Sequence, residues 1–304
     1  MLGQGGRTLS HGDQGFIAGV VGLGALGGPI AKRLATLGRV GVNSRTRRPG
    51  LEGARIVWIE GLPDLADACS VIFMVLPDYE SLRAVTVGGS GLLGDGRRDL
   101  LLVNLTTISP SQAVELEREV SRLGARWVDA PVSGTVAAAE SGQLLCMLGG
   151  HQEDIAKCDE LVGAFAAERI YIGPTGQAPA MKLIVNLVLA ATVQALGEGI
   201  AYGEALGLEP SQIVSTLARA PVASRALERK GQQMVAGDYV PRAALRILHK
   251  DMVSLKDSGQ EAGLHLRTTA HLVEFMASAS EAGLGEQDFA IMIEASRKER
   301  LSNS

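Results

Sequence analysis

The stretch Phe16-Ile17-Ala18-Gly19-Val20-Val21-Gly22-Leu23-Gly24-Ala25-Leu26-Gly27-Gly28-Pro29-Ile30-Ala31-Lys32-Arg33-Leu34 decides how this chain folds. A short apolar run ends at Val21, a glycine-rich turn follows, and Ile30, Ala31, Leu34 and Leu37 then recur at helical spacing. Strand, tight turn and helix in that order form the setting in which a G-x-G-x-x-G pattern carries meaning. Gly22 permits the tight turn, Gly24 lets the backbone approach a pyrophosphate, and Gly27 lets the helix pack closely on the strand. The helix start offers unpaired N–H groups and a partial positive charge. Residues Gly22, Leu23, Gly24, Ala25, Leu26 and Gly27 are therefore predicted to cradle the phosphates of a nucleotide.

Working outward, Gly38 closes the helix and Val40–Asn43 reads as a second strand. Further strands are expected at Ile56–Ile59, Val71–Leu76, Leu100–Leu105, Arg126–Ala130 and Leu144–Leu148. Helical patterns lie between several of them, notably Leu82–Val87 and Ser111–Leu123, the latter opened by Ser109-Pro110, a cap followed by proline. Buried strands alternating with helices predict a parallel sheet covered on both faces. After Gly173 the texture changes. One long apolar segment runs from Ala178 to Leu206, followed by helices at Ser211–Arg219, Ser224–Val235, Ala244–Ala262, Thr268–Ala282 and a last one from Gly285. The expected organisation is an α/β domain over residues 16–177 and an all-α domain over 178–304. Residues 1–15 are expected to be a disordered extension.

Composition narrows the partners. With 29 Lys and Arg against 33 Asp and Glu, the net charge of −4 lacks the broad positive field of sequence-independent nucleic-acid binding. Cys69, Cys146 and Cys158 show no metal-ligand spacing, so no metal site is expected. The apolar run Leu183–Leu196 contains Asn186, Thr192 and Gln194 and is too short to span a bilayer. The first fifteen residues lack the apolar region of a secretory signal, so the expected address is the cytoplasm, with no membrane partner.

The end of the second strand speaks to which nucleotide is bound. A carboxylate there would hold the ribose hydroxyls of NAD. The chain instead reads Asn43-Ser44-Arg45-Thr46-Arg47-Arg48, and guanidinium and hydroxyl groups suit a 2′-phosphate. Ser44, Arg45 and Thr46 thus favour NADP(H), with NAD(H) as the alternative. Two further stretches carry chemistry. Asp129-Ala130-Pro131-Val132-Ser133-Gly134-Thr135 ends a strand in small residues, whose N–H groups and Ser133 hydroxyl suit a carboxylate. Lys182 and Asn186, four apart, share one face of an otherwise apolar helix.

In their order along the chain these stretches resemble the β-hydroxyacid dehydrogenase family, which includes 3-hydroxyisobutyrate dehydrogenases and glyoxylate/succinic semialdehyde reductases. The resemblance runs from Phe16 to about Arg297. It rests on GLGALG, SRT, MVLPD at Met74–Asp78, NLTTISP at Asn104–Pro110, DAPVSG at Asp129–Gly134, the Gly173–Asn186 stretch, and Lys250-Asp251. It implies a Rossmann-type parallel-sheet N-terminal domain, an all-α C-terminal domain, and a small carbonyl or hydroxyacid substrate in the cleft between them. It also implies a homo-oligomer, dimer or tetramer, assembled through the helical domains.

By the same resemblance, Leu76 and Pro77 line the cofactor loop and Thr107 lies near the nicotinamide. Ser133 and Gly134 hold the substrate carboxylate with Thr135 beside them. Lys182 is the general acid and base, and Asn186 orients it. Lys250 closes over the site from the helical domain, touching cofactor and substrate. As an ammonium, Lys182 would stabilise charge developing on a carbonyl oxygen and donate the proton; in oxidation it must be neutral to accept one. Three departures bear on the substrate, one of them a turn before the second strand about one residue shorter than the family's usual pattern. Thr135 stands where the family has a second glycine, and Ala243 stands where an aromatic residue is common, which predicts a narrower anion cradle beside a wider pocket. Related imine reductases generally replace the lysine, so Lys182 argues for a carbonyl or alcohol over a C=N bond. A catalytically silent binding or scaffold homologue would also be expected to lose it.

Overall fold

The computed structural model describes residues 15–51, 53–94 and 99–298. Of the expected N-terminal extension, residues 1–14 lie outside the described residues. The chain opens with β1 (Phe16–Val21), α1 (Gly27–Leu34), β2 (Arg39–Asn43), β3 (Ile56–Trp58), α2 (Leu62–Ala68) and β4 (Val71–Met74). It continues through α3 (Tyr79–Val87), β5 (Leu101–Asn104), α4 (Pro110–Arg122) and β6 (Arg126–Asp129). Then come β7 (Val132–Ser133), α5 (Val136–Glu140), β8 (Leu144–Gly150), α6 (Gln152–Gly163) and β9 (Ala166–Gly173).

The strand order is β3-β2-β1-β4-β5-β6-β8-β7, with β9 pairing β8. Strands β1 to β6 are all parallel. The order 3-2-1-4-5-6 is that of a Rossmann sheet, whose direction of winding reverses between β1 and β4. Beyond β6 the expected all-parallel sheet becomes mixed, because β8 runs antiparallel to both β6 and β7. Only the two-residue β7 and the short α5 lie between β6 and β8, and β7 uses that connection to pair antiparallel with β8 itself. The central strands read as continuous apolar runs because both faces are covered. Val20, Val42, Phe73 and Val103 lie in one buried cluster, and Val21, Ile72, Met74 and Leu102 in another on the opposite face.

The second half is helical: α7 (Gln177–Ala205), α8 (Pro210–Leu217), α9 (Arg225–Ala236), α10 (Leu245–Glu261) and α11 (Arg267–Ala279). A π turn at Ser280–Leu284, a 3-10 turn at Phe289–Ile291 and α12 (Met292–Lys298) replace the single last helix expected from Gly285. Gly283, at φ +83°, breaks the helical path there. At 29 residues α7 is long and apolar enough to cross a bilayer by length and composition alone, more so than the Leu183–Leu196 run suggests. Here it is the central helix of the domain, burying Leu183, Ala190, Val193, Leu196 and Ile200 in one cluster with Leu248 and Met252 of α10 and Ile293 of α12. Gly197 lets the two backbones meet, since a Cβ there would stand 3.2 Å from the Ile293 Cα.

Candidate active site

Register, more than any single residue, positions the site. Asn43 pairs with Val21, Val21 with Met74, Met74 with Asn104, and Asn104 with Asp129. Five parallel strands therefore end in one row. The segments that follow them open along a single edge of the sheet: Ser44–Thr46, Gly22–Gly27, Val75–Pro77, Leu105–Thr107 and Ala130–Ser133. This is the carboxyl edge, where open α/β sheets bind ligands, and the glycine turn stands at the reversal of winding.

The three glycines of that turn differ as the pyrophosphate fit requires. Gly22 has φ +90°, and a Cβ on it would meet the Val75 carbonyl oxygen at 2.2 Å; a Cβ on Gly27 would collide with the Gly22 carbonyl oxygen. Gly24 is exposed with nothing near its missing Cβ, which leaves open space for a ligand against its backbone. Helix α1 has no side-chain cap and no acidic residue in its first turn, so its N–H groups and dipole favour an anion. These residues fit a dinucleotide pyrophosphate.

At the end of β2, Ser44 Oγ accepts a 3.4 Å bond from Leu23 N, tying the two cofactor segments together. Arg45 and Thr46 are exposed beside it. Arg47 stacks over Trp58 at 5.3 Å and approaches Glu60 at 3.8 Å. The Arg48 guanidinium leans over the first turn of α1, its Nη1 3.8 Å from where a Gly28 Cβ would stand. Thr106 Oγ1 accepts a 3.0 Å bond from Leu76 N and so holds the Leu76–Pro77 loop against the β5 terminus.

The catalytic candidates meet across the two halves of the chain. Lys182 Nζ donates to Asn186 Oδ1 at 3.0 Å, one turn along α7. Asn186 Nδ2 donates to Asp251 Oδ2 at 2.7 Å, reaching α10. Lys250 Nζ lies 3.1 Å from Asp251 Oδ1 and donates its hydrogen bond to the Thr107 carbonyl at 2.8 Å. The Lys250 bond spans 143 positions and joins α10 to the loop after β5. Asn186 and Asp251 are buried, and Lys182 and Lys250 are half-buried.

In the sequence Asp251 stands only as half of the Lys250-Asp251 pair, which assigns it no role of its own. The signal for it is chemical: a buried amide between a lysine and an apolar core needs an acceptor for its NH2 group. Burial pushes the Lys182 ammonium below the ordinary lysine range of 10.5; Asp251 opposes this, and the like charge of Lys250 adds to the lowering.

The expected carboxylate cradle lies on the same edge. Gly134, at φ +149°, takes a backbone conformation that a side chain would strain, and a Cβ there would also press on Leu144 Cδ2 at 2.6 Å. Thr135 caps α5, its Oγ1 accepting from Ala138 N at 3.2 Å. That bond uses a lone pair and leaves the hydroxyl proton free to donate. Ser133 is half-buried on the preceding strand. Ala243 is exposed on the loop before α10, its N–H donating to Asp288 Oδ2 at 3.1 Å. It is not drawn into the hydrogen-bonded cluster of Lys182, Asn186, Asp251, Lys250 and Thr107.

Comparison with known proteins agrees with this architecture. Residues 18–173 match the NAD binding domain of 6-phosphogluconate dehydrogenase, and residues 176–296 match the NAD-binding domain of NADP-dependent 3-hydroxyisobutyrate dehydrogenase. The mitochondrial 3-hydroxyisobutyrate dehydrogenase of Bos taurus is 30% identical over 296 residues, covering 92% of this chain and 87% of that protein. The 2-(hydroxymethyl)glutarate dehydrogenase of Eubacterium barkeri is 27% identical over 281 residues, covering 90% and 93%. Among solved structures, 3-hydroxyisobutyrate dehydrogenase of Mycobacterium tuberculosis superposes with a TM-score of 0.82 at 23% identity, covering 93% of this chain and 99% of that one; it shares the fold.

Proposed function

The chain belongs to the β-hydroxyacid dehydrogenase family, and from that premise we propose that it interconverts a β-hydroxyacid, or a related alcohol, and its semialdehyde or keto form, using NADP(H), with Lys182 as general acid and base. The observation that carries this reading is the hydrogen-bonded chain Lys182–Asn186–Asp251 set opposite the loop that holds Thr107.

Bound on the glycine turn, the dinucleotide supplies or accepts the hydride. The chain's own residues supply position and field. Asn186 Oδ1 holds the Lys182 amine at 3.0 Å and limits its swing. In reduction, the ammonium stabilises negative charge developing on the substrate oxygen and delivers the proton. In oxidation, the lowered pKa makes the neutral amine accessible, so that it accepts the alcohol proton. Ser133, Gly134 and the free hydroxyl proton of Thr135 serve the substrate carboxylate. Lys250, anchored to the Thr107 carbonyl, closes the helical domain against the cofactor edge.

Exposed Arg45 and Thr46, with Arg48 over α1, support NADP(H) over NAD(H). The small Ala243, where the family commonly has an aromatic residue, favours a substrate bulkier than glyoxylate or succinic semialdehyde. The side of α7 turned away from Lys182 exposes Ile184, Val188, Tyr202 and Leu206, which supports a homo-oligomer built on that stripe. A screen of semialdehydes, ketoacids and cyclic imines with NADPH and NADH in parallel tests the reading. Turnover of a hydroxyacid or semialdehyde with NADPH is expected. Turnover of imines alone would overturn it, and a strong preference for glyoxylate would overturn the pocket argument.

A further inference from the structure

Asp129 and Gly176 stand 47 positions apart and meet through one buried carboxylate. Asp129 ends β6 and is 0% exposed. Its Oδ1 accepts from Trp127 Nε1 at 2.8 Å, and its Oδ2 accepts from Gly176 N at 2.8 Å. Gly176 is the N-cap residue of α7, at φ +92°, and α7 has no side-chain cap of its own. On the Asp129 side, the next residues are Ala130 to Thr135, which form the carboxylate cradle. On the Gly176 side, Lys182 follows six residues on, within the second turn of the helix.

Two N–H donors aimed at the two oxygens of one side chain require a carboxylate. An amide offers one oxygen and would turn its NH2 against the other donor. Such charge-assisted bonds are short and stiff. Asn104 of β5 also bonds to the group, and Glu117 of α4 is the further charge that faces it.

We propose that Asp129 is a positioning residue of the reaction: by holding the N-cap of α7 against the strand that leads to Ser133, it sets the separation between the substrate carboxylate and the Lys182 amine. This rests on Lys182 as the acid and base. Protonation of Asp129 removes one acceptor and loosens the link, so turnover falls on the acid side as this carboxyl titrates. Burial raises its pKa from 3.8 to about 6.

The test compares Asp129→Asn, Trp127→Phe and Lys182→Ala in the full chain, with thermal unfolding, the KM for NADPH, the KM for substrate, and kcat against pH. Asp129→Asn is expected to lower kcat by about 10- to 100-fold and to raise the substrate KM, because a misplacement of about 1 Å costs that much. The NADPH KM should stay within about twofold. Trp127→Phe keeps the Gly176 bond but removes one donor, so it should shift the acid limb of kcat to higher pH.

If Asp129→Asn does not fold, the limb of Trp127→Phe decides. Folded variants with wild-type kcat, substrate KM and acid limb would overturn the proposal. Lys182→Ala keeps the two ideas apart. Unchanged turnover in that variant sinks the assignment of Lys182, whereas lost turnover beside unaffected Asp129 and Trp127 variants sinks the positioning role alone.

Discussion

The 2.7 Å bond from Asn186 Nδ2 to Asp251 Oδ2 determines which end of the Asn186 amide faces Lys182. With its NH2 group committed to a carboxylate, the amide can present only its oxygen to the lysine, and an oxygen accepts from either the ammonium or the neutral amine. The arrangement therefore survives both protonation states of the group proposed to pass a proton in both directions.

Replacing Asp251 by alanine removes that commitment. The buried Asn186 amide is left with an unpaired donor, which costs about 1–3 kcal/mol. A fall in the thermal midpoint is expected together with a loss of kcat, as the amide becomes free to turn its NH2 toward Lys182. Asn186→Ala should show the same kinetic loss, and it exchanges the orphaned donor for an unpaired oxygen on the buried Asp251 carboxylate. Calorimetry and steady-state kinetics on both variants separate the two effects.

Lys182→Ala should lower kcat by about 100- to 10,000-fold, the range for loss of a general acid or base, with dinucleotide affinity unchanged. The pH dependence has a definite sign. Oxidation needs the neutral amine, so its rate should rise with pH through a midpoint below the ordinary lysine value of 10.5, while reduction should fall over the same interval. Lys250→Met removes a neighbouring positive charge, and the midpoint should move to higher pH. Rate profiles in both directions check this.

Arg45→Ala should raise the KM for NADPH by about tenfold or more and leave that for NADH nearly unchanged, since a hydrogen bond to a charged group contributes about 1.5–3 kcal/mol. Equal effects on both cofactors would count against a 2′-phosphate contact.

Asp129 also predicts a stability profile. Its folded pKa of about 6 lies above the ordinary 3.8, so the folded chain holds this proton more tightly than the unfolded chain. Its contribution is fully present below about 3.8 and is lost as pH rises through about 6. The difference corresponds to about 3 kcal/mol. The slope of thermal midpoint against pH between those values should differ between wild type and Asp129→Asn, the wild type losing more stability as pH rises.

Val188→Glu on the exposed stripe of α7 should dissociate the proposed homo-oligomer, a change that light scattering on the eluted protein reads directly. Lys182 lies on the other side of the helix, so any loss of activity in that variant would report coupling between subunits.

Much of the fold is legible in the residues. Val20 and Val42 read as strand because they are apolar and β-branched, and Gly22 and Gly27 read as a turn because no side chain fits there. Two strands escaped that reading. In β9, Glu168 and Arg169 interrupt the apolar run because the strand lies at an exposed edge of the sheet, where charged side chains meet water. In β7, two residues are too few to show any alternation.

Local pattern by itself determined the strand–turn–helix that receives the cofactor, the change from sheet to helices after Gly173, and the shared face of Lys182 and Asn186. Each of these depends on neighbours within a few positions, where periodicity and steric demand are explicit. Only the tertiary structure decided that Asp251 meets Asn186 across 65 positions, that Asp129 bonds the residue preceding α7 across 47, and that Lys250 spans the two halves to Thr107. Those contacts arise when the helical core and the carboxyl edge of the sheet come together, and the spacing of residues along the chain carries no record of that meeting.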